Sequence, residues 1–192
     1  MKLIAEYTDN HLEVLTEEKN GNKTYTIEGI FMQAEQKNRN GRIYPMTVMT
    51  QAVDKYNQDQ VVPGRAVGEL NHPEGPTVNL DKVSHKIESL EFSGNNVMGK
   101  ATILNTPMGE VVKGLLDGGV RLGVSTRGMG SLERRNDTMV VKDDFHLNAV
   151  DIVQDPSAPS AFVNGIMEGV EWVWNNGIIE QKAIEQMETE IK

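Results

Sequence analysis

The spacing of apolar and polar positions changes several times along the chain, and each change marks an element. Leu12 and Val14 precede a polar stretch over residues 17–23, and a second apolar stretch runs over residues 24–31. The polar stretch contains Asn20-Gly21, a dipeptide suited to the positive φ angles of a tight turn, so the pattern predicts a β-hairpin. Asn38-Arg39-Asn40-Gly41-Arg42 predicts a loop. From Pro45 onward, Val48, Met49, Ala52, Val53 and Tyr56 fall at three- and four-residue spacing, which predicts one amphipathic helix with the proline at its start.

After Val61 the period shortens toward two, and strands are predicted over residues 65–71, 82–92 and 97–104. Thr106-Pro107 supplies the start of a second helix, with Val111, Val112, Leu115 and Leu116 as its buried stripe and Gly118-Gly119 as its end. Further strands are predicted over residues 120–127 and 138–153, joined by a charged loop around Arg134, Arg135 and Asn136. The C-terminal part is expected to be helical over residues 159–174. After Asn175-Asn176-Gly177, an acidic helix is expected to carry Ile179, Ala183, Met187 and Ile191 on one face. No internal repeat or low-complexity linker divides the chain. The expectation is one domain over residues 1–174 and a peripheral helix over residues 175–192. Strands joined by hairpins and long excursions, with no βαβ rhythm, predict an α+β fold built on an antiparallel sheet or barrel.

Composition narrows the chemistry. The chain has no cysteine, which excludes disulfide scaffolds, thiol catalysis and cysteine-based zinc or redox motifs together, so any nucleophile is an oxygen or an amine. Its 192 residues suffice for one substantial core, and 38% hydrophobic with 24% charged residues is a globular composition. The 28 acidic residues outnumber the 19 basic ones, and a net charge of −9 excludes a main role in coating nucleic acid. No apolar run approaches bilayer length, and the N-terminus turns acidic too early for a secretory signal. A soluble protein that works inside the cell, or enclosed in something assembled there, is expected.

Ser125 is the first candidate for chemistry. In residues 120–127 the alternation puts Val120, Leu122, Val124 and Thr126 on one face, and Arg121, Gly123, Ser125 and Arg127 on the other. Gly123 and Gly128 leave room for another backbone to approach the serine. The commoner use of such a segment is a solvated strand serine among bulge-forming glycines. A serine nucleophile needs a base, and His72, in Gly68-Glu69-Leu70-Asn71-His72-Pro73, ends a strand at a proline with an imidazole suited to that work near neutrality. Taken alone it is equally a polar strand-end residue.

His85 shares the Val83/Ile87 face and reads as a buried structural histidine, whereas His11 and His146 read as surface residues. Asp151, inside Asn148-Ala149-Val150-Asp151-Ile152-Val153, is a candidate to orient the imidazole, because an acid in a Val/Ile-rich strand is costly to bury without a partner. Glu69 is a further candidate, although its strand parity opposes that of His72. Asp155 before Pro156 reads as a turn or cap acid. A metal site on His72, Asp81 and His85 lacks any recognised ligand spacing, and no P-loop, zinc-protease, EF-hand or dinucleotide motif is present. Arg127 stands where Gly-x-Ser-x-Gly needs its last glycine, and the order His72, Ser125, Asp151 differs from those of chymotrypsin, subtilisin and the α/β-hydrolases.

Six blocks in order resemble the prohead core proteases of T-even-like tailed phages, distant relatives of the herpesvirus assemblins. They are residues 38–45, 68–73, 83–85, 106–109, 122–128 and 150–157, within a resemblance that covers roughly residues 25–165. The resemblance implies a serine endopeptidase with no cofactor or metal, folded as an antiparallel β-barrel ringed by helices. It implies action inside the immature phage head, assembled in the host cytoplasm, on scaffold or core and capsid proteins and on the enzyme itself.

The resemblance places the nucleophile on Ser125 and the general base on His72. Herpesvirus enzymes use a second histidine as third member, whereas phage relatives carry an acid in the strand of Asp151; Asp151 is chosen, with His85 as the fallback. Arg127 and the backbone of Gly128 are implied as oxyanion or substrate-binding groups. Cleavage after Glu, with an aliphatic residue two positions earlier, is implied too, and Leu15-Thr16-Glu17, Ile166-Met167-Glu168 and Ile178-Ile179-Glu180 fit. Glu180 is the expected site of self-processing. Arg121, Arg127, Arg134, Arg135 and Lys142 form a local basic excess suited to a glutamate pocket, or equally a solvated face. The herpesvirus relatives dimerise, which implies self-association.

Overall fold

A computed structural model describes residues 1–7, 12–154, 170–175 and 178–183. Among them the fold is α+β. Its strands are β1 (Lys2–Tyr7), β2 (Glu13–Lys19), β3 (Asn22–Gln33), β4 (Arg42–Ile43), β5 (Val67–Glu69), β6 (Val83–Ser93), β7 (Asn96–Ile103), β8 (Leu122–Gly130), β9 (Leu132–Arg135), β10 (Thr138–Val141), β11 (His146–Gln154), β12 (Val170–Asn175) and β13 (Ile178–Ala183). Two α-helices, α1 (Met46–Tyr56) and α2 (Pro107–Asp117), interrupt them.

The strands form three sheets, in the orders β2-β3-β7-β6-β5, β11-β8-β1-β12-β13 and β4-β10-β9. All ladders are antiparallel except β4 with β10. The two five-stranded sheets meet at β5 and β11. Leu70 bridges Ile152 there, and the Asn71 N–H donates to the Ile152 carbonyl at 2.7 Å.

Local chemistry accounts for most of this. Asn20 and Gly21 take φ of 53° and 80°, so two residues turn β2 into β3. In the loop before α1, the Asn38 side-chain oxygen accepts from the N–H groups of Asn40 and Arg42, fixing the turn. That loop is tied to β1 by Glu6, whose carboxylate accepts from Arg42 Nε at 2.6 Å, Asn40 Nδ2 at 2.7 Å and the Tyr44 hydroxyl at 3.1 Å. The five predicted apolar residues of α1 are all buried, and the helix packs against β11. Thr106 caps α2 by accepting from the Gly109 N–H at 3.0 Å.

Several expectations need correction. In α2 only Val112 of the stripe is buried; Val111 is 45% exposed, and Lys113 takes a buried place with its amine on Asn105 and Glu110. The charged loop around residues 134–136 is a hairpin, β9 to β10, turned by Asn136 at φ 57°. The strand expected over residues 138–153 is two strands, β10 and β11, in different sheets.

The C-terminal helices are corrected most. Residues 170–175 and 178–183 are antiparallel strands, joined to the main sheet where Lys2 pairs with Glu171. A boundary after residue 174 would cut this hairpin. Residues 159–169 of the first expected helix, Met187 and Ile191 of the second, Asp155 and His11 lie outside the described residues.

Candidate active site

β8 carries the serine. Every residue from Gly123 to Gly130 is buried, so both faces of the strand are covered and the face of Ser125 is not the solvated one the alternation allowed. Ser125 lies directly opposite Asp151 on β11 and Tyr7 on β1. Paired residues of an antiparallel ladder point to one face, so Asp151 stands beside the serine because of strand register alone.

The imidazole arrives from the seam between the two large sheets. Gly68 lets β5 lie close to β11, since a Cβ there would fall 2.1 Å from the Val150 carbonyl oxygen and 2.4 Å from His85 Nε2. β5 ends at Glu69, and Asn71, at φ 68°, turns the chain through the left-handed region that asparagine tolerates. His72 follows with its side chain 7% exposed. Its Nδ1 lies 2.6 Å from Asp151 Oδ2, and its Nε2 lies 2.7 Å from Ser125 Oγ. An ionised carboxylate only accepts, so Nδ1 carries the proton and donates to Asp151. Nε2 is then free to accept from the serine hydroxyl.

Asp151 is 0% exposed and its oxygens accept four hydrogen bonds. Oδ2 takes His72 Nδ1 and, at 2.8 Å, Arg127 Nε; Oδ1 takes the Glu69 N–H at 3.0 Å and Arg127 Nη2 at 3.3 Å. Burial pushes the carboxyl up, but the His72 hydrogen bond and the Arg127 charge outweigh it and hold the group below the ordinary carboxylate range. It is an anion built into the sheet.

Arg127 therefore has a different place from the one expected. Its Nε and one Nη2 proton go to Asp151, the other Nη2 proton to Glu69 at 3.5 Å, and Nη1 donates to the Gly75 and Thr77 carbonyls at 2.8 and 2.7 Å. All five guanidinium donors are committed, and the residue is 0% exposed, so none remains for an oxyanion or a substrate carboxylate. Gly128 is corrected as well. It lies three residues along β8 from the serine, about 10 Å away at the strand rise, and a Cβ there would fall 2.6 Å from the Phe145 ring.

His85, the fallback third member, is not part of the constellation. It is 0% exposed, its Nδ1 pairs with the Ser84 hydroxyl at 2.8 Å, and its Nε2 donates to the Val150 carbonyl at 2.7 Å. Burial pushes its imidazole below the usual range against the opposing pull of the Val150 carbonyl and Asp151. Glu69 does not orient His72 either; its carboxylate accepts from Arg127 and from the N–H and Nδ2 of Asn79. His146, read as a surface residue, is partly buried on β11, and burial lowers its imidazole too. Of the other basic residues, Arg134 and Arg135 sit on β9 in the separate three-stranded sheet, with Arg135 paired to Glu133.

Known proteins resemble this chain in both sequence and fold. The chain is 42% identical over 143 residues to the prohead core protein protease of Enterobacteria phage T4, a match covering 71% of this chain and 66% of that protein's length. Its fold resembles the solved structure of the bacteriophage T4 capsid assembly protease with a TM-score of 0.76 and 33% identity, covering 81% of this chain and 98% of the other. Residues 10–171, a span that includes Ser125, His72 and Asp151, match the family described as prohead core protein serine protease, and the chain belongs to that family.

Proposed function

We propose that this chain is a serine endopeptidase of prohead maturation that cleaves scaffold or core proteins and capsid proteins. The observation that carries the reading is the unbroken relay from Ser125 Oγ through both nitrogens of His72 to the Asp151 carboxylate, at 2.7 and 2.6 Å. Nucleophile, base and orienting acid stand within hydrogen-bond reach, as acyl transfer requires. The names of the T4 relatives, a prohead core protein protease and a capsid assembly protease, support the substrate class.

In this reading His72 Nε2 takes the Ser125 proton as Oγ attacks the scissile carbonyl. The imidazolium so formed is held by Asp151. It then returns the proton to the departing amine, and water releases the acyl group by the same path. The oxyanion needs donors about 3 Å from its oxygen. Neither Arg127 nor Gly128 supplies them. Ser125 is 0% exposed, so a substrate carbonyl reaches Oγ only when the surrounding chain opens.

Cleavage after Glu remains part of the proposal through the resemblance. Glu17 lies on β2, an edge strand whose residues are all exposed, and Glu180 lies on β13, paired with Val173. Glu168 is outside the described residues. Self-processing after Glu180 therefore requires β13 to leave its partner strand.

Ser125→Ala tests the proposal. The variant is expected to fold and to leave scaffold protein intact, while the unaltered chain cleaves it and yields a fragment ending at Glu180 by mass spectrometry. Cleavage at the unaltered rate by Ser125→Ala would exclude the mechanism; a chain that stays whole beside processed scaffold would exclude only self-cleavage.

A further inference from the structure

Ile4-Ala5-Glu6 on β1 is a further aliphatic-x-Glu triplet, and it lies along the strand that carries the nucleophile. Ile4 stands opposite Gly128, Glu6 opposite Thr126 and Tyr7 opposite Ser125. Facing residues of such a ladder are about 5 Å apart, so the peptide bond after Glu6 runs past the Ser125–Thr126 segment. The Thr126 hydroxyl donates to the Glu6 carbonyl at 3.3 Å.

The Glu6 side chain ends in a pocket of three donors. Oε1 accepts from Arg42 Nε at 2.6 Å and from the Tyr44 hydroxyl at 3.1 Å, and Oε2 accepts from Asn40 Nδ2 at 2.7 Å. Glu6 is 8% exposed and Arg42 5%. These donors are held in place by bonds that do not involve Glu6. The Asn38 side chain accepts from the Asn40 and Arg42 N–H groups, and the Gly41 N–H donates to the Asn38 carbonyl at 3.0 Å. The Met139 N–H donates to the Gly41 carbonyl at 2.9 Å, which seats β4 on β10, and Tyr44 meets Phe145 edge-on at 5.2 Å. A site fixed in advance binds at lower cost and discriminates more sharply. A neutral side chain there leaves a buried guanidinium short of its anion, and aspartate is one methylene too short.

We propose that Arg42, Asn40 and Tyr44 form the pocket that reads the glutamate of a protein substrate, and that Glu6 holds the position of that glutamate in this structure. The proposal rests on the serine-protease reading and deepens its preference for cleavage after Glu. A substrate strand takes the place of residues 4–7 on β8, with its aliphatic residue opposite Gly128, its glutamate on Arg42 and the following bond at Ser125. Arg127 cannot share this task, because its donors are committed to Asp151, Glu69 and the Gly75 and Thr77 carbonyls.

The test compares two synthetic peptides of residues 174–183, one with Ile178-Ile179-Glu180 and one with Glu180→Met, by kcat/KM. The unaltered full-length chain is expected to prefer the glutamate peptide by about 10³-fold, because an isostere without the carboxylate leaves buried donors unpaired. In Arg42→Met/Glu6→Met the buried ion pair becomes apolar on both sides, a replacement that folds commonly tolerate. That variant is expected to invert the preference and cleave the Glu180→Met peptide faster. Tyr44→Phe removes one donor but keeps the contact with Phe145, and is expected to lower the preference for glutamate about tenfold.

A double variant that cleaves and still prefers glutamate would show that Arg42 only moors β1, and the proposal would fall. If the double variant fails to fold or to cleave, an unaltered preference in Tyr44→Phe overturns it alone. An unaltered chain that cleaves both peptides equally overturns it too, whereas one that cleaves neither peptide nor scaffold protein sinks the protease reading and the pocket with it.

Discussion

Asp151 is a carboxylate fully enclosed by protein, and four hydrogen bonds stand where water would. Its effect on His72 is directional, because an acceptor at Nδ1 forces the proton there and leaves Nε2 as the base. Asp151→Asn reverses that. The amide can donate to Nδ1, which pushes the ring proton to Nε2 and points a donor at the serine hydroxyl. A fall in kcat of about 10⁴ is expected, with KM little changed; a steady-state assay on a peptide substrate that found kcat within tenfold of the parent would remove Asp151 from the relay. Residue chemistry made the three relay residues candidates, a serine with glycine space around it, a histidine at a strand end and an acid in a Val/Ile run, and the resemblance to the prohead core proteases gave them their roles. Arg127 was misread, since strand parity puts it on the serine's face without saying whether that face meets solvent. A better signal was present. Two acids, Glu69 and Asp151, sit in strand segments destined for burial, and such acids require a cation of matching parity, which Arg127 supplies.

At the scale of elements, the site depends on how closely two strands approach. β5 and β11 meet at Gly68, and the contact aligns the Glu69 N–H with Asp151 and the Asn71 N–H with Ile152. Gly68→Ala would put a methyl group 2.1 Å from the Val150 oxygen, with backbone on the far side that cannot rotate away. The strands must part, and His72 moves with β5. Overpacking of this kind costs about 1–3 kcal/mol. Activity is expected to fall by more than tenfold while urea unfolding still shows a cooperative transition; unaltered kcat/KM would mean that the seam does not set the position of His72. Elements with a clean period were readable, such as α1 and β7, whose apolar positions recur at helical and alternate spacing. β9 was not, because Glu133, Arg134 and Arg135 face solvent and leave no apolar alternation. The C-terminal strands were misjudged for another reason. Val170, Trp172 and Trp174 alternate with period two before Asn176-Gly177, which is a hairpin signal, but the acidic residues beyond it suggested an amphipathic helix.

The molecule as a whole couples this site to pH through buried groups that lie outside the relay. His85 is enclosed between β6 and β11, and burial lowers its imidazole from the ordinary value of 6.5. As pH falls through 6.5, the unfolded chain binds a proton there that the folded chain refuses. Stability is therefore fully present above 6.5 and is lost on acidification until the folded group itself titrates, at a limiting slope of about 1.4 kcal/mol per pH unit. His146 acts in the same direction. Asp151, held below 3.8, adds a further loss only as pH falls beneath that value. Glu6 runs the other way: burial raises its carboxyl above 4.5 in spite of Arg42, so it contributes stability at low pH that disappears as pH rises through its folded value. The net charge of −9 also opposes His85, because acidification relieves self-repulsion. These terms are separated by comparing Ser125→Ala with Ser125→Ala/His85→Gln. Glutamine can still accept from Ser84 and donate to Val150 but binds no proton, and every other pH-dependent group is common to both chains. Urea unfolding at pH 7.5 and 5.5 is expected to show that the glutamine variant loses about 1 kcal/mol less on acidification than its parent. Equal losses in the two chains would show that the His85 imidazole is protonated as readily when folded as when unfolded, and that its burial between β6 and β11 does not carry the acid sensitivity of the fold.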